Sequence, residues 1–400
     1  VIGIALVPFL KYLINLRHPI PHITLYYLMF LANTVASYLV VYKTSILTAD
    51  QKDYLLKKYQ SIFSIGQAIC TTTFLWLTRN YFIYLLIQVI FTYAQNFYAS
   101  WVAERQYPFI KRQVTMPLGE VKEIFRNLYS VFIYKVSGVL LNATDNTIIS
   151  VMIGTGMVGY YSNYSLIATQ LTALINTIFY SLTASLGNLV IKERAKRRYQ
   201  VFKAIQSVSD VFSSICTACL FLLAQDLIRV WLGQHFLLNN LTLLAIVVNF
   251  YLGIILLPIW VYREATGLYQ QTKYVMVVTA IINLVLSIWL AKTLGVAGVL
   301  FASAIARLAT YFWYEPVLLF KKYFGTSSCS YFTSILKNIL VTVLVVCVCH
   351  VLFVHFVVSG WLSLFIKAFG IGIVSLTVTV IFYSRSQGIK LIWQRIRKRN

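Results

Sequence analysis

Long apolar segments, each about the length that crosses a bilayer, recur along the whole chain and constrain its fold more than any other feature. A helix needs about 20 apolar residues to cross the hydrocarbon core, where its backbone polar groups must be bonded internally. The chain is 59% apolar and only 11% charged, whereas a soluble domain carries about 25% charged residues. We therefore predict an all-α integral membrane protein with about 12 transmembrane helices.

The apolar segments divide the chain into twelve predicted spans. They lie at 1–16, 22–42, 59–78, 81–101, 127–153, 159–190, 204–224, 241–262, 274–291, 295–314, 333–356 and 361–384. We predict four domains from this order: an N-terminal helical lobe of four spans at 1–101, a cytoplasmic linker at 102–126, a C-terminal six-helix lobe at 127–320, and two extra helices with a basic tail at 321–400. The linker contains PLGEVKEIF, which predicts an amphipathic helix on the membrane surface that begins after Pro117.

Positive charge is distributed very unevenly between the two sets of loops. Twenty-six of the 34 Lys and Arg residues fall in loops on one side, and the opposite side has only Arg17, Arg79, Arg229 and Lys292. Cytoplasmic loops carry an excess of Lys and Arg, so we predict a multi-pass cell-membrane protein with both ends of this chain in the cytoplasm. The net charge of +23 then reflects topology, and we expect no nucleic-acid partner. Lys367 lies near the start of a span, where we expect it to snorkel towards the interface.

A short internal repeat relates two of the cytoplasmic turns. The segment that begins at Tyr42 aligns with the one that begins at Tyr262 at a constant offset of 220, which places Lys43 on Arg263. Six predicted spans separate the copies, so they have the same orientation in the membrane. Parallel repeats of this kind are a known transporter architecture with the substrate site between the halves. The repeat predicts two pseudo-symmetric helical bundles.

Polar residues interrupt the predicted span at 127–153. At 100° per residue, Lys135, Gly138, Asn142, Asp145 and Asn146 fall within roughly one third of the helix circumference. Charged groups at membrane depth are costly and usually face a partner or a polar cavity. Two interpretations stay open: a hydrogen-bonded seam between helices, and one wall of a hydrated substrate pathway.

Motifs for enzymatic chemistry are weak throughout the chain. Cys216 and Cys219 form a CxxC pair, but it lies within an apolar helix and has no partner ligands in sequence. No His pairs with a carboxylate in a recognisable pattern, and there is no GxxxxGK[ST] phosphate loop. We predict that the protein is not an enzyme and binds no metal or organic cofactor.

Three stretches resemble a known family. They are SYLVVYKTSILTADQKDYL at 37–55, LLNATDNTIISVMIGTGMVGYYSNYSLI at 140–167 and SLTASLGNLV at 181–190. They are similar to the Wzx-type polysaccharide repeat-unit flippases, whose superfamily includes the lipid II flippase MurJ and the MATE multidrug antiporters. The resemblance implies fourteen helices, in two six-helix bundles plus two C-terminal helices. Because twelve spans are predicted and Val1 already lies within an apolar segment, we expect the first two helices of the first bundle to be missing. In the family these helices would line the cavity, so their loss would impair transport.

The function that the resemblance implies is transport of an undecaprenyl-diphosphate-linked oligosaccharide across a bacterial cytoplasmic membrane by alternating access, for capsule or exopolysaccharide synthesis. Implied partners are the lipid-linked oligosaccharide, membrane lipids, a polysaccharide polymerase and glycosyltransferases. We expect cationic contacts to pyrophosphate or acidic sugar from Lys135 and Arg307, unless these two form structural pairs. Asp145 would carry a coupling proton or Na⁺, or would pair with one of these cations. Sugar hydroxyls would be bound by Asn142, Asn146, Asn163 and Gln170.

Two other functions remain compatible with the sequence. A MATE-like drug or cation antiporter needs an acidic or aromatic cavity, and the acids in or near the spans are few, chiefly Asp145 and Asp210. A non-transporting scaffold of a polysaccharide-assembly complex is the second alternative, which the expected loss of two helices favours.

Overall fold

The protein is built from helices, as a computed structural model shows. The structure describes residues 2–5, 7–9, 22–50, 52–111, 117–384, 386 and 388–391, and no strand occurs among them. The chain divides into two compact units, Val1–Lys122 and Glu123–Asn400, here called the first and second unit. The predicted all-α, multi-pass fold class is confirmed by these long apolar helices.

Four helices make up most of the described part of the first unit. They are α1 (Ile23–Tyr38), α2 (Val41–Ala49), α3 (Asp53–Thr78) and α4 (Tyr81–Gln106). α1 and α2 form a pair bent by 47°, and α1 and α3 both pack against α4. The Asn80 side chain begins α4 by accepting a hydrogen bond from the backbone N–H of Phe82 at 2.9 Å. The predicted span at 1–16 lies mostly outside the described residues.

Charged contacts fasten the turn after α2 to the end of α4. Lys43 forms an ion pair with Glu104. In the turn itself, Asp50 Oδ2 accepts hydrogen bonds from Lys52 Nζ at 2.8 Å and from the Tyr107 hydroxyl at 2.5 Å. The hydrogen bond from Lys52, with that from Tyr107, lowers the pKa of the Asp50 carboxyl below its ordinary value. The carboxylate form of Asp50 therefore holds this turn closed.

Ten helices make up most of the described part of the second unit, and the first of them begins within the last residues of the first unit. They are α5 (Leu118–Met152), α6 (Thr155–Tyr180), α7 (Thr183–Lys192), α8 (Ala195–Trp231), α9 (Asn240–Ile255), α10 (Leu257–Thr266), α11 (Tyr269–Ala309), α12 (Tyr311–Leu319), α13 (Cys329–Phe353) and α14 (Trp361–Tyr383). Gly154 separates α5 from α6 at φ 134°, a conformation that only glycine adopts without strain. α13 and α14 pack on α8, so the two C-terminal helices belong to the second unit.

The helix α11 reverses direction at Gly295. Its φ of 59° and ψ of −136° are not helical, and hydrogen bonds join residues far apart in sequence on either side. Asn283 Nδ2 donates to Ser303 Oγ at 2.8 Å, and the hydroxyls of Thr279 and Thr310 lie 2.6 Å apart. In one straight helix, residues twenty apart would be separated by about 30 Å. α11 is therefore two antiparallel arms, 269–294 and 296–309, joined by a glycine turn between the predicted spans 274–291 and 295–314.

The predicted count of twelve spans is not confirmed. The described residues contain eight helices long and apolar enough to cross a membrane, or up to ten with the two bent pairs, and one of these, Tyr269–Phe324, includes the reversal at Gly295. The linker helix predicted on the membrane surface is not a separate element. Residues 118–125 are the first turns of α5, which continues to Met152, because no proline or glycine follows Gly119 to end the helix before the apolar segment.

Both copies of the predicted repeat lie in the second helix of a bent pair. Lys43 is on α2, which follows the 47° bend, and Arg263 is on α10, which follows a 44° bend from α9. Each cation pairs with a glutamate of its own unit: Lys43 with Glu104, and Arg263 with Glu315. Glu104 lies on α4, the second helix after the first bent pair, and Glu315 lies on α12, which follows the second arm of α11. The two copies thus occupy corresponding places in their units.

Candidate functional site

A cavity of about 590 Å³ lies within the second unit. Helices α5, α6, α9, α10 and α11 contribute most of its wall, and Tyr311 of α12 completes it. Its polar lining side chains are Tyr134, Asp145, Asn146, Tyr161, Ser165, Thr169, Thr172, Asn176, Trp260, Asn249, Arg263, Arg307 and Tyr311. A cavity with three charged side chains in an apolar bundle is unusual, because charged groups are costly at membrane depth. We call it the second-unit cavity.

Asp145 joins α5 to both arms of α11. It is only 8% exposed, and the hydroxyl of Ser303 lies 3.1 Å from each of its carboxylate oxygens. Asn283 Nδ2 in turn donates to Ser303 Oγ, while Thr144 Oγ1 donates to Asn283 Oδ1 at 3.2 Å. This arrangement of one carboxylate among oxygen-bearing side chains is chemically suited to a proton or a small hard cation.

Arg307 lies on the second arm of α11, one turn beyond Ser303, and lines the cavity. It is close enough to Asp145 and Tyr311 to interact with both electrostatically. A guanidinium group presents several donors in one plane, a geometry that matches two oxygens of a phosphate or carboxylate. Arg307 can therefore place positive charge in the cavity.

A second group of charges lies at the Tyr134 end of the cavity. Arg263 is buried and its Nη1 donates to Glu315 Oε1 at 3.1 Å, to Oε2 at 3.0 Å and to the Tyr134 hydroxyl. Glu264, the next residue, pairs with Lys135 at 3.1 Å and accepts a hydrogen bond from the Tyr269 hydroxyl. We call these residues the Arg263 cluster. Its two cations and two carboxylates compensate one another, which makes burial of Arg263 tolerable.

The structure brings together three of the residues predicted for the site and separates three others from it. Asp145, Asn146 and Arg307 line the second-unit cavity, and Lys135, Asn163 and Gln170 are not part of its lining. Lys135 is instead paired with Glu264, with 58% of its side chain exposed. The side chain of Asn142 lies outside the described part of the structure.

The polar face of α5 differs from the predicted stripe. The residues that α5 buries are Ser130, Tyr134, Ser137, Leu141, Asp145, Ile148 and Ile149, a face turned by roughly a quarter turn from the predicted one at 100° per residue. Asp145 lies where the two faces meet, whereas Lys135 lies on the exposed flank. On α6, the cavity face carries small hydroxyl groups and Asn176 instead of Asn163 and Gln170. Ser165, Thr169, Thr172 and Asn176 recur at helical spacing, a signal that could have identified this face.

Arg263 and Glu315 are the charged residues that sequence reasoning missed. Arg263 was predicted in a cytoplasmic loop, but its side chain is only 7% exposed and lines the cavity. Glu315, predicted next to the spans in a connecting segment, is buried on α12 and paired with Arg263. The sequence contained one indication of the Arg263 ion pair, which is the alignment of Arg263 with Lys43 in the repeat. In the structure, both residues form ion pairs within their own units.

Comparison with known proteins agrees with the fold and with the quoted motifs. The model of the family described as "Polysaccharide biosynthesis protein" matches residues 1–186. Among solved structures, the lipid II flippase MurJ in an inward closed conformation is similar, with a TM-score of 0.68 and 18% sequence identity over 96% of this chain and 81% of that one. No curated protein matches the sequence significantly. The predicted resemblance is therefore confirmed at this level: residues 1–186 match the polysaccharide biosynthesis protein family, and the chain shares its fold with MurJ.

Proposed function

We propose that this protein moves a lipid-linked oligosaccharide across a bacterial cytoplasmic membrane. The observation that carries the proposal is the second-unit cavity, which places two arginines and many hydroxyl and amide groups inside an apolar helical bundle. The family match to polysaccharide biosynthesis proteins and the fold shared with a lipid II flippase support a lipid-linked saccharide as the substrate class. We take the lipid to be undecaprenyl diphosphate and the product to enter capsule or exopolysaccharide synthesis.

The physical problem of this transport is the polar headgroup, not the lipid tail. An isoprenoid chain can remain in the bilayer, whereas a pyrophosphate and its sugars lose hydrogen bonds to water if they cross hydrocarbon unaided. A cavity that supplies a guanidinium group and hydroxyl groups replaces part of that hydration. In the proposal, Arg307 contacts the pyrophosphate or an acidic sugar, and Asn146 binds sugar hydroxyls.

Asp145 is the proposed coupling residue. Its carboxylate lies in the same cavity as Arg307 and is surrounded by Ser303 and Asn283. Binding of a proton or Na⁺ at Asp145 would weaken its attraction to Arg307 and so leave more of the positive charge for the anionic substrate. We propose alternating access as the transport cycle, with the loops rich in Lys and Arg on the cytoplasmic side.

The remaining predicted contacts take different roles under this proposal. Lys135 is a structural partner of Glu264 and positions the Arg263 cluster. Asn163 and Gln170, predicted from sequence as sugar contacts, do not line the second-unit cavity, and this proposal assigns them no contact with the saccharide. A polysaccharide polymerase and glycosyltransferases are the proposed partners, because they would consume and supply the transported lipid.

The proposal is tested by transport of a fluorescent undecaprenyl-diphosphate oligosaccharide in vesicles that contain the full-length protein. A hydrogen bond to a charged group contributes about 1.5–3 kcal/mol, so Arg307→Ala should slow transport roughly 10–100-fold. Arg307→Lys should retain part of the rate, since it keeps the charge but loses the planar fork. Asn163→Ala is the matched control and should transport normally. Wild-type transport by Arg307→Ala would contradict the proposal.

The alternative of a cation or drug antiporter is separated by the same variants. Cationic drugs would require Asp145 and would be repelled by Arg307, so Arg307→Ala would then raise drug resistance while leaving lipid-linked sugar unaffected. Glu315 neutralises Arg263, so the positive charge that favours an anionic substrate is that of Arg307 once Asp145 has bound its proton or Na⁺.

A further inference from the structure

A second buried carboxylate, Asp210, lies outside the second-unit cavity. It is in the middle of α8 and only 2% exposed. Its Oδ1 atom has no hydrogen-bond partner, and no Lys or Arg among the described residues approaches it within 4.0 Å. An ionised carboxylate buried without a partner is strongly disfavoured. Asp210 must therefore hold a proton or a cation.

The polar groups around Asp210 form a network across four helices. Asn338 of α13, which is fully buried, donates to the Asp210 backbone carbonyl at 2.8 Å and to the Tyr383 hydroxyl of α14 at 2.9 Å. Its Oδ1 accepts hydrogen bonds from Ser213 of α8 at 3.1 Å and from Tyr251 of α9 at 2.7 Å. These bonds satisfy the Asn338 amide, but none of them reaches the Asp210 carboxylate. We call these residues the Asp210 network.

Two hydroxyl groups of α13, on Ser334 and Tyr331, are close enough to the Asp210 carboxylate to interact with it. Ser334 Oγ is 3.5 Å from Asp210 Oδ2, and the hydroxyl of Tyr331, one turn earlier, is buried without a hydrogen-bond partner. A hydroxyl that donates to a carboxylate normally approaches to about 2.5–2.7 Å. By contrast, two oxygens bound at a right angle to one hard cation, with bonds of about 2.4 Å, are separated by about 3.4 Å.

We propose that Asp210, Ser334 and Tyr331 form a site for a monovalent cation of the size of Na⁺, between α8 and α13. One carboxylate neutralises one positive charge, and no group of three or more acidic, His or Cys ligands that a divalent ion would favour occurs among the described residues. A proton on Asp210 Oδ1 would find no acceptor, because that atom has no polar neighbour within hydrogen-bond distance. A proton on Oδ2 would have only Ser334 Oγ, at 3.5 Å, a longer distance than ordinary O–H···O hydrogen bonds. The cation would fasten α13, and through Asn338 also α14, to the second unit.

The site is tested by thermal unfolding of the purified full-length protein in Na⁺ and in choline at equal ionic strength. A ligand that binds only the folded state raises stability with its concentration, and we expect a rise in Tm on the order of 3 °C in saturating Na⁺. In an Asp145→Asn background, which removes the carboxylate proposed for transport coupling, Asp210→Asn should abolish this rise, and Ser334→Ala should shift the Na⁺ titration to higher concentration. Asp145→Asn should retain the rise, which separates this site from the carboxylate proposed for transport coupling.

Two results would overturn the proposal. One is a Na⁺ effect of equal size in Asp145→Asn and in the double variant Asp145→Asn/Asp210→Asn. The other is a wild-type protein that ignores Na⁺ but gains stability as the pH falls, which would indicate a protonated carboxyl. In that case the groups facing Asp210 are Tyr251, Tyr331, Lys337 and Tyr383, and only the carboxyl ordinarily titrates in acid.

A second measurement applies if Asp210→Asn does not fold. Hydrogen exchange of the wild-type protein should slow in α13 and α14 when Na⁺ replaces choline, because the cation fastens both helices. Exchange in α3, which belongs to the first unit, should stay unchanged. Equal exchange in α13 and α14 under both conditions would refute the site.

Discussion

Replacing Arg263 by Met should destabilise the protein far more than the loss of one surface charge would. The side chains of Arg263 and Glu315 are 7% and 3% exposed, and two hydrogen bonds of 3.0–3.1 Å join them. Arg263→Met leaves the Glu315 carboxylate buried without its partner, which costs about 3–5 kcal/mol. Glu315→Gln should cost less, since Arg263 keeps a hydrogen-bond acceptor and lies 3.8 Å from Glu264.

The double variant Arg263→Met/Glu315→Gln removes both charges and should recover at least about 2 kcal/mol relative to the sum of the single variants. Equilibrium unfolding in mixed micelles of a mild and a denaturing detergent measures the unfolding free energy of the two single variants and of the double variant. Lys135→Met is the control: that side chain is 58% exposed, so its loss should cost at most about 1 kcal/mol. Two results would refute a buried ion pair at this position. One is a loss of unfolding free energy in the double variant that equals the sum of the two single losses, and the other is a loss below about 1 kcal/mol in Arg263→Met.

Three further predictions concern contacts away from the cavity. A Cβ at Gly298 would overlap the backbone of Leu290, so Gly298→Ala should lower the unfolding free energy by about 1–3 kcal/mol. Asp226 pairs with Lys367 at 2.7 Å, both about one seventh exposed, so Asp226→Ala should lower the Tm more in wild type than in a Lys367→Ala background. Lys52→Ala removes a donor to Asp50 and should raise the pKa of the Asp50 carboxyl towards about 3.9, which carboxyl NMR measures. An unchanged pKa would contradict the contact between Lys52 and Asp50.

The helical segments were predictable because membrane spans are encoded by apolar length alone. The reversal at Gly295 falls next to the predicted break between two spans. The break was predictable because the apolar segment on each side of it is long enough to be a separate span. The end of a span is harder to predict, because charges near it suggest a loop. Arg263 shows this clearly: its burial depends on Glu315, fifty-two residues later, which local sequence cannot reveal.

The candidate site was only partly predictable for a related reason. In a bilayer, polar residues do not mark the exposed face of a helix, so the polar stripe of α5 did not identify its buried side. Asp145 was found because a carboxylate within a span is rare, and Arg307 for the same reason. Lys367 was expected to snorkel, but its side chain is paired with Asp226 of α8; this tertiary partner leaves no sequence pattern.

Protection of single cysteines by the substrate tests the proposed binding of a saccharide headgroup in the second-unit cavity most directly. Thr169 lines this cavity and its neighbour Gln170 does not, so Thr169→Cys and Gln170→Cys form a matched pair in a variant without the native cysteines. Labelling by a charged thiol reagent is measured with and without an undecaprenyl-diphosphate oligosaccharide. We predict that the lipid slows labelling at position 169 and leaves position 170 unchanged; protection at 170 alone, or at neither position, would contradict the proposed site.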